Sequence, residues 1–208
     1  MAKDRKYMGK ALVENSRWRD HLPTLSTDQL DGIVARVDEI IADNPEYCDD
    51  GNYDHMSNLC TGLALYEMHL SEGRTEQEAY ELSGQPMWDY VEEHTAGMYR
   101  KLFSKSPVFG LMGSMLPRMF EAGSGYGWEY RWHDDPKGRI SFECVHCIYA
   151  QVLEKYGMRE MGTMFCHADD INYGSIPTVE FRREHTLCQD GQECDFLFLK
   201  TGKGSRMA

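Results

Sequence analysis

The sequence changes periodicity between residues 123 and 127. Up to Ala122 its apolar residues recur at helical spacing, and beyond Gly127 they alternate. The break is Gly123-Ser-Gly-Tyr-Gly127, too rich in glycine to extend a helix. This order, helices first and then strands mixed with helices, predicts an α+β fold. An N-terminal helical part, residues 1–122, packs on a C-terminal antiparallel sheet with flanking helices, residues 123–208. The two are expected as subdomains of one integrated domain, and 208 residues suffice for a real core.

The helical half divides at its punctuation. Residues 1–25 read as an arm or short helix. Ser26-Thr27-Asp28-Gln29 is a capping-box pattern, and Leu30, Ile33, Val34, Val37, Ile40 and Ile41 follow on one face until Asn44-Pro45. A second helix is predicted from about Asp54 to Ser71, and a third from Thr75 to about Ser83. Gly84-Gln85-Pro86 is expected to interrupt the chain before another helix over Met87–Phe103. The Met-rich stretch Pro107–Glu121 predicts a buried helix. In the second half, Trp128–His133 and Arg139–Val145 read as a hairpin around Asp134–Gly138. A helix from Cys147 to Tyr156 ends at Gly157, and a short helix carries Cys166. Thr178–Leu187 and Glu193–Lys200 read as two further strands joined by a turn at Gln189-Asp190-Gly191.

Charge and cysteine content narrow the function. A net charge of -12 repels nucleic acid and anionic membrane. It still permits a local Arg that binds a small carboxylate. No apolar run is long enough to span a bilayer. Met-Ala-Lys-Asp-Arg-Lys at the start precedes no apolar stretch, so the expectation is no secretory signal and a cytoplasmic location. Seven cysteines, an odd number, point to free thiols, ligands or a nucleophile over a disulfide framework.

The candidate chemistry lies between residues 144 and 198. Cys166 and Asp169, three apart, share one face of a helical turn. A thiol activated to thiolate is a strong nucleophile, and a neighbouring carboxylate can carry a proton or hold a cation. Cysteine is equally at home as a small core residue. His167 and Asp170 flank the pair, Asp170 reading as a solvated charge or cap. Cys144-x-x-Cys147, with Cys166, Cys188 or Cys194, offers an alternative zinc site, although a second close pair is lacking. Arg183 sits in a strand pattern, where it either grips a substrate carboxylate or pairs internally with Asp195 or Glu184. Asp195, beside the core residues Cys194, Phe196 and Phe198, is either a substrate or orienting contact or a structural charge partnered by Arg183 or Thr186.

Taken in order, Phe165-Cys166-x-x-Asp169, Phe181-x-Arg183-x-x-Thr186-Leu187 and Gly191-x-x-Cys194-Asp195-Phe196-x-Phe198, with the helix entry at Cys144–Gly157, resemble the L-2-amino-thiazoline-4-carboxylic acid hydrolase family over about residues 90–200. A weaker similarity is to vinyl-reductase-type small-ligand-binding domains. The family resemblance implies opening of a carboxylate-bearing cyclic isothiourea. Cys166 would then attack the amidine carbon, Asp169 would handle the amidinium and the protons, and Arg183, with Asp195 and His167, would contact substrate. The expected function is therefore a cysteine-dependent hydrolase of a small cyclic amidine or isothiourea, cleaving a carbon–sulfur or carbon–nitrogen bond. The alternative is a ligand-binding or sensor domain without turnover. No cofactor is expected, with zinc on Cys144, Cys147 and Cys166 as the alternative. The expected partner is a small-molecule substrate, with no nucleic acid and no membrane. A Met-rich apolar helix and open strand edges suit a homodimer.

Overall fold

The computed structural model describes residues 7–104 and 108–201. The start of the expected arm and the expected helix start at Pro107 lie outside the described residues. The chain divides into two compact units, Met1–Tyr90 and Val91–Ala208.

The first unit is helical. Helix α1 (Gly9–Asn15) meets α2 (Thr27–Asp43) where Gly9 lies against the Val34 carbonyl, a contact that leaves no room for a Cβ. The capping box at the start of α2 is formed in both directions, between Ser26 and Gln29. Ile33, Val37 and Ile40 are the buried face of α2, and the Arg36 guanidinium forks onto Glu67 at 2.7 and 3.0 Å. Glu67 belongs to α3 (Tyr53–Ser71), which is buried without interruption from Met56 to Tyr66. Helix α4 (Glu76–Tyr90) runs through Gly84-Gln85-Pro86, contrary to the expected interruption. The proline removes one backbone donor, while Gly84 clears the space that the Trp88 ring fills one turn later.

The second unit begins with a π-helical stretch, Val91–Ala96, and two helices, α5 (Gly97–Leu102) and α6 (Val108–Ala122). Strands β1 (Glu129–Trp132) and β2 (Arg139–His146) follow, then α7 (Ile148–Lys155), α8 (Thr163–Gly174), β3 (Val179–Arg182) and β4 (Cys194–Lys200). The strands form one antiparallel sheet in the order β1-β2-β4-β3. Register places Phe142 opposite Phe196, and Cys144 opposite both Tyr130 and Cys194. One face is therefore aromatic, with the Phe142 and Phe196 rings stacked at 4.5 Å. Phe120 of α6 and Tyr173 of α8 meet that face, at 4.9 Å from Phe142 and 5.1 Å from Phe198. The change of periodicity at Gly123–Gly127 thus falls inside one compact unit, because α6 packs on the sheet that follows it. Helix α6 is amphipathic where a buried helix is expected: Phe109, Met112 and Leu116 are covered, while Leu111 and Met119 are exposed. Gly157 adopts a positive φ of 68° after α7, as a helix C-cap requires.

The strand expected over Thr178–Leu187 ends at Arg182. The Asp195 carboxylate explains the early end. It accepts the backbone N–H groups of Glu184 and His185, at 3.0 and 2.6 Å, and takes them away from any ladder. Arg183, His185 and Thr186 therefore lie on a loop.

Candidate functional site

Cys166, Asp169 and Asp170 lie on α8, and Arg183 follows the end of β3. The Arg183 side chain is only 4% exposed. Its guanidinium donates to the Cys166 carbonyl at 2.8 Å, to Asp170 at 2.7 Å and to Asp169 at 3.3 Å. It also lies over the rings of Phe196 and Phe181, at 5.4 and 5.8 Å. Burial works against its charge, but Asp169, Cys166 and Asp170 outweigh burial and hold its pKa above the ordinary value. Burial also lifts the Asp170 carboxyl, with Arg183 and His167 pulling the other way. The fork of Arg183 is thus turned onto α8. Of the partners that sequence offers Asp195, neither Arg183 nor the Thr186 hydroxyl bonds to it: the Thr186 Oγ is buried with no hydrogen-bond partner among the described residues. His167 is exposed, its Nδ1 3.7 Å from Asp170.

Five of the seven cysteines converge in this unit, all as free thiols. Cys144 and Cys147 form one hydrogen-bonded pair, and Cys166 and Cys188 another; Cys194 feels Cys147 and Cys166. The Asp169 charge reaches both Cys144 and Cys147. Within the first pair the two thiols are driven apart. Cys144 is pushed up by the bond to Cys147 and by burial. Cys147 is pulled down by the bond from Cys144, against burial, with the backbone N–H groups of Ala150 and Tyr149 adding to the stabilisation of its thiolate. The Cys144 thiol also lies 3.1 Å from the His146 carbonyl, a second acceptor. Cys188 is pushed up by its bond to Cys166 and by burial, and Cys194 by burial. Gly162 makes room for Cys188, whose sulfur occupies the space a Cβ at Gly162 would need. Among the described residues no group of three or more His, Cys, Asp or Glu side chains is arranged to hold a metal ion, Cys144, Cys147 and Cys166 included.

Cys147, the residue capping the start of α7, lines a cleft of about 200 Å³. Val145, His146 and Leu187 form part of its wall, and Ala150, Gln151, Glu154 and Arg159 complete it. Cys147, Ala150, Gln151 and Glu154 follow the i, i+3, i+4, i+7 rule and so share one face of the helix. The Gln151 amide lies 3.1 Å from His146 Nδ1, and Glu129 is 3.5 Å from Nε2. Arg159 donates through Nε to the Leu187 carbonyl at 2.5 Å, with the Glu154 carboxylate 3.9 Å away. Cys166, His167, Asp169, Arg183 and Asp195 are not among the residues lining this cleft. Gln151, Glu154 and Arg159 are absent from the sequence-based candidates. The helical spacing from Cys147 is a signal that reveals the first two. Nothing local reveals Arg159, which is set by a carbonyl 28 residues away.

A family model described as L-2-amino-thiazoline-4-carboxylic acid hydrolase matches residues 53–198. No curated protein matches the chain. Two solved structures are similar at low identity. One is the H-NOX domain from Shewanella oneidensis in the Fe(II)CO state, with 9% identity, TM-score 0.32, and coverage of 83% of this chain and 94% of that one. The other is an unliganded Fe(II) H-NOX protein from K. algicida, with 12% identity, TM-score 0.29, and coverage of 82% and 88%.

Proposed function

The chain belongs to the L-2-amino-thiazoline-4-carboxylic acid hydrolase family, and from that premise we propose a cysteine-dependent hydrolase of a small, carboxylate-bearing cyclic amidine or isothiourea, with Cys147 as the attacking thiolate. The observation that carries it is the position of Cys147: the residue lines a cleft, at a helix start, next to the Cys144 thiol. Burial alone would keep such a sulfur protonated. Here a neighbouring S–H and two amides offset the burial, as an activated nucleophile requires.

The chemistry follows in two steps. The Cys147 sulfur bonds to the amidine carbon, and the ring carbon–nitrogen or carbon–sulfur bond breaks as the leaving atom takes a proton. Water then adds to the same carbon, loses its protons and expels the Cys147 sulfur as thiolate, leaving a carbamoyl product. His146, on the cleft wall, is placed to carry protons. Asp169, whose negative charge is felt at Cys147, opposes the thiolate and favours a cationic amidinium beside it.

A second assignment has its own support. Cys166 is half-buried and carries the hydrogen bond with Cys188, so it can serve as nucleophile with Asp169 as proton carrier. One experiment separates them: turnover of 2-amino-thiazoline-4-carboxylate by wild type, Cys147→Ala and Cys166→Ala. Loss in Cys147→Ala alone supports the first assignment, and loss in Cys166→Ala alone the second. Full activity in both variants, or binding without product in wild type, overturns the cysteine-dependent hydrolase.

A further inference from the structure

We propose that the cleft beside α7 is built for a small zwitterion, with Arg159 taking the ligand's carboxylate at the end of the cleft opposite Cys147. This rests on the thiol chemistry taking place in this cleft, and it names the group that selects the substrate there.

Three observations carry it. The first is the spent fork of Arg183, the guanidinium that sequence reasoning offers to the substrate: its donors go to Cys166, Asp169 and Asp170, and its side chain is buried. A carboxylate needs another cation. The second is the orientation of Arg159. Its Nε–H donates to the Leu187 carbonyl, which orients the planar guanidinium and leaves its Nη groups for a ligand. The Glu154 carboxylate sits 3.9 Å from that same Nε, at the outer limit of an ion pair, and is largely exposed. It is too loosely held to compete with a ligand seated in the cleft. The third is length. Cys147 and Glu154 are two helical turns apart, about 10 Å along the axis, on one face. That span fits a five-membered ring with an attacked carbon at the thiol end and a carboxylate at the Arg159 end. Val145, Ala150 and Leu187 give the cleft an apolar wall between its two ends.

The groups facing the cleft also set its selectivity. Glu154 and Arg159 present one negative and one positive charge, so a ligand with one of each is matched and a simple dianion is repelled. In a chain of net charge -12, such a local cation is what lets an anionic group approach at all.

The test uses binding to the full chain carrying both Cys147→Ala and Cys166→Ala, which removes both candidate nucleophiles and leaves the ligand intact. Calorimetry compares 2-amino-thiazoline-4-carboxylate with 2-amino-thiazoline, which lacks the carboxylate. The carboxylate form is expected to bind about tenfold to a hundredfold more tightly, the worth of a charge-assisted fork. Adding Arg159→Gln should erase that difference, and Arg159→Lys should recover only part of it. A preference that survives Arg159→Gln, or no binding of either ligand, overturns the assignment. Because nothing turns over in this assay, a failure of the hydrolase itself appears separately, as absence of product in wild type.

Discussion

Arg183→Met should cost about 3 kcal/mol of stability, summed from the interactions the guanidinium makes. The methionine keeps an unbranched apolar stem over Phe181 and Phe196 and removes the charged head. The Cys166 carbonyl loses a charge-assisted donor at 2.8 Å, worth about 1–2 kcal/mol. The two ring contacts lose their cation, about 0.5 kcal/mol each at least. Asp169 and Asp170 are 37% and 46% exposed, so both return to water, and each lost pair costs only about 0.5 kcal/mol. The assay is thermal unfolding followed by circular dichroism, with Tm expected to fall by roughly 6–12 °C for a chain of this size. Asp170→Asn alone should cost under about 1 kcal/mol. If Arg183→Met unfolds within about 0.5 kcal/mol of wild type yet raises KM for substrate, the guanidinium serves the ligand and not the α8–β3 junction. The structural account would then be refuted.

Two further outcomes can be checked directly. Gly162→Ala should cost about 1–3 kcal/mol, because its Cβ collides with the Cys188 sulfur, and Cys188→Ala in the same chain should recover most of the loss; additive costs would show that the two do not touch. The iodoacetamide reaction at Cys147 should persist below the ordinary thiol pKa of about 8.5 while Cys144 stays unmodified, as read by peptide mass. The sign for stability follows: with the Cys147 pKa lowered by folding, stability rises with pH between the lowered value and the ordinary one, and is lost as pH falls through the lowered value. Cys147→Ser should flatten that window, and an unchanged slope would contradict the thiolate.

What could be read from sequence was local. Ser26 and Gln29 announce a capping box because both halves of it lie within one turn, and Gly157 announces a C-cap for the same reason. Alternation located β1, β2 and β4, and the ordered motifs pointed to the family that the chain proves to belong to. What sequence did not disclose was decided at a distance. β3 stops at Arg182 because a carboxylate from β4 captures the next two amides. A proline in α4 reads as a break, yet the glycine two residues before it admits Trp88 and the helix continues. Spacing shows Cys144-x-x-Cys147 as an isolated pair, whereas the sheet register sets Cys194 beside Cys144, and the loop after β3 brings Cys188 to Cys166. Arg159 reaches the cleft through a carbonyl that no nearby residue predicts.

The strand order carries a consequence for how the sheet is born. β4 comes last of the four in the chain but lies between β2 and β3. As the polypeptide leaves the ribosome, the β1–β2 hairpin must wait through residues 147–193 with one edge unpaired. During that interval Phe142 lacks the ring that later stacks on it, and Cys144 has Tyr130 of β1 opposite it but not yet Cys194. Closing so long a loop comes late and slowly, and an open apolar edge is the kind of surface that holdase chaperones recognise. The arrival of β4 therefore acts as a single closing event, which seals the edge, brings Cys194 to the other thiols and stops β3 at its proper length together.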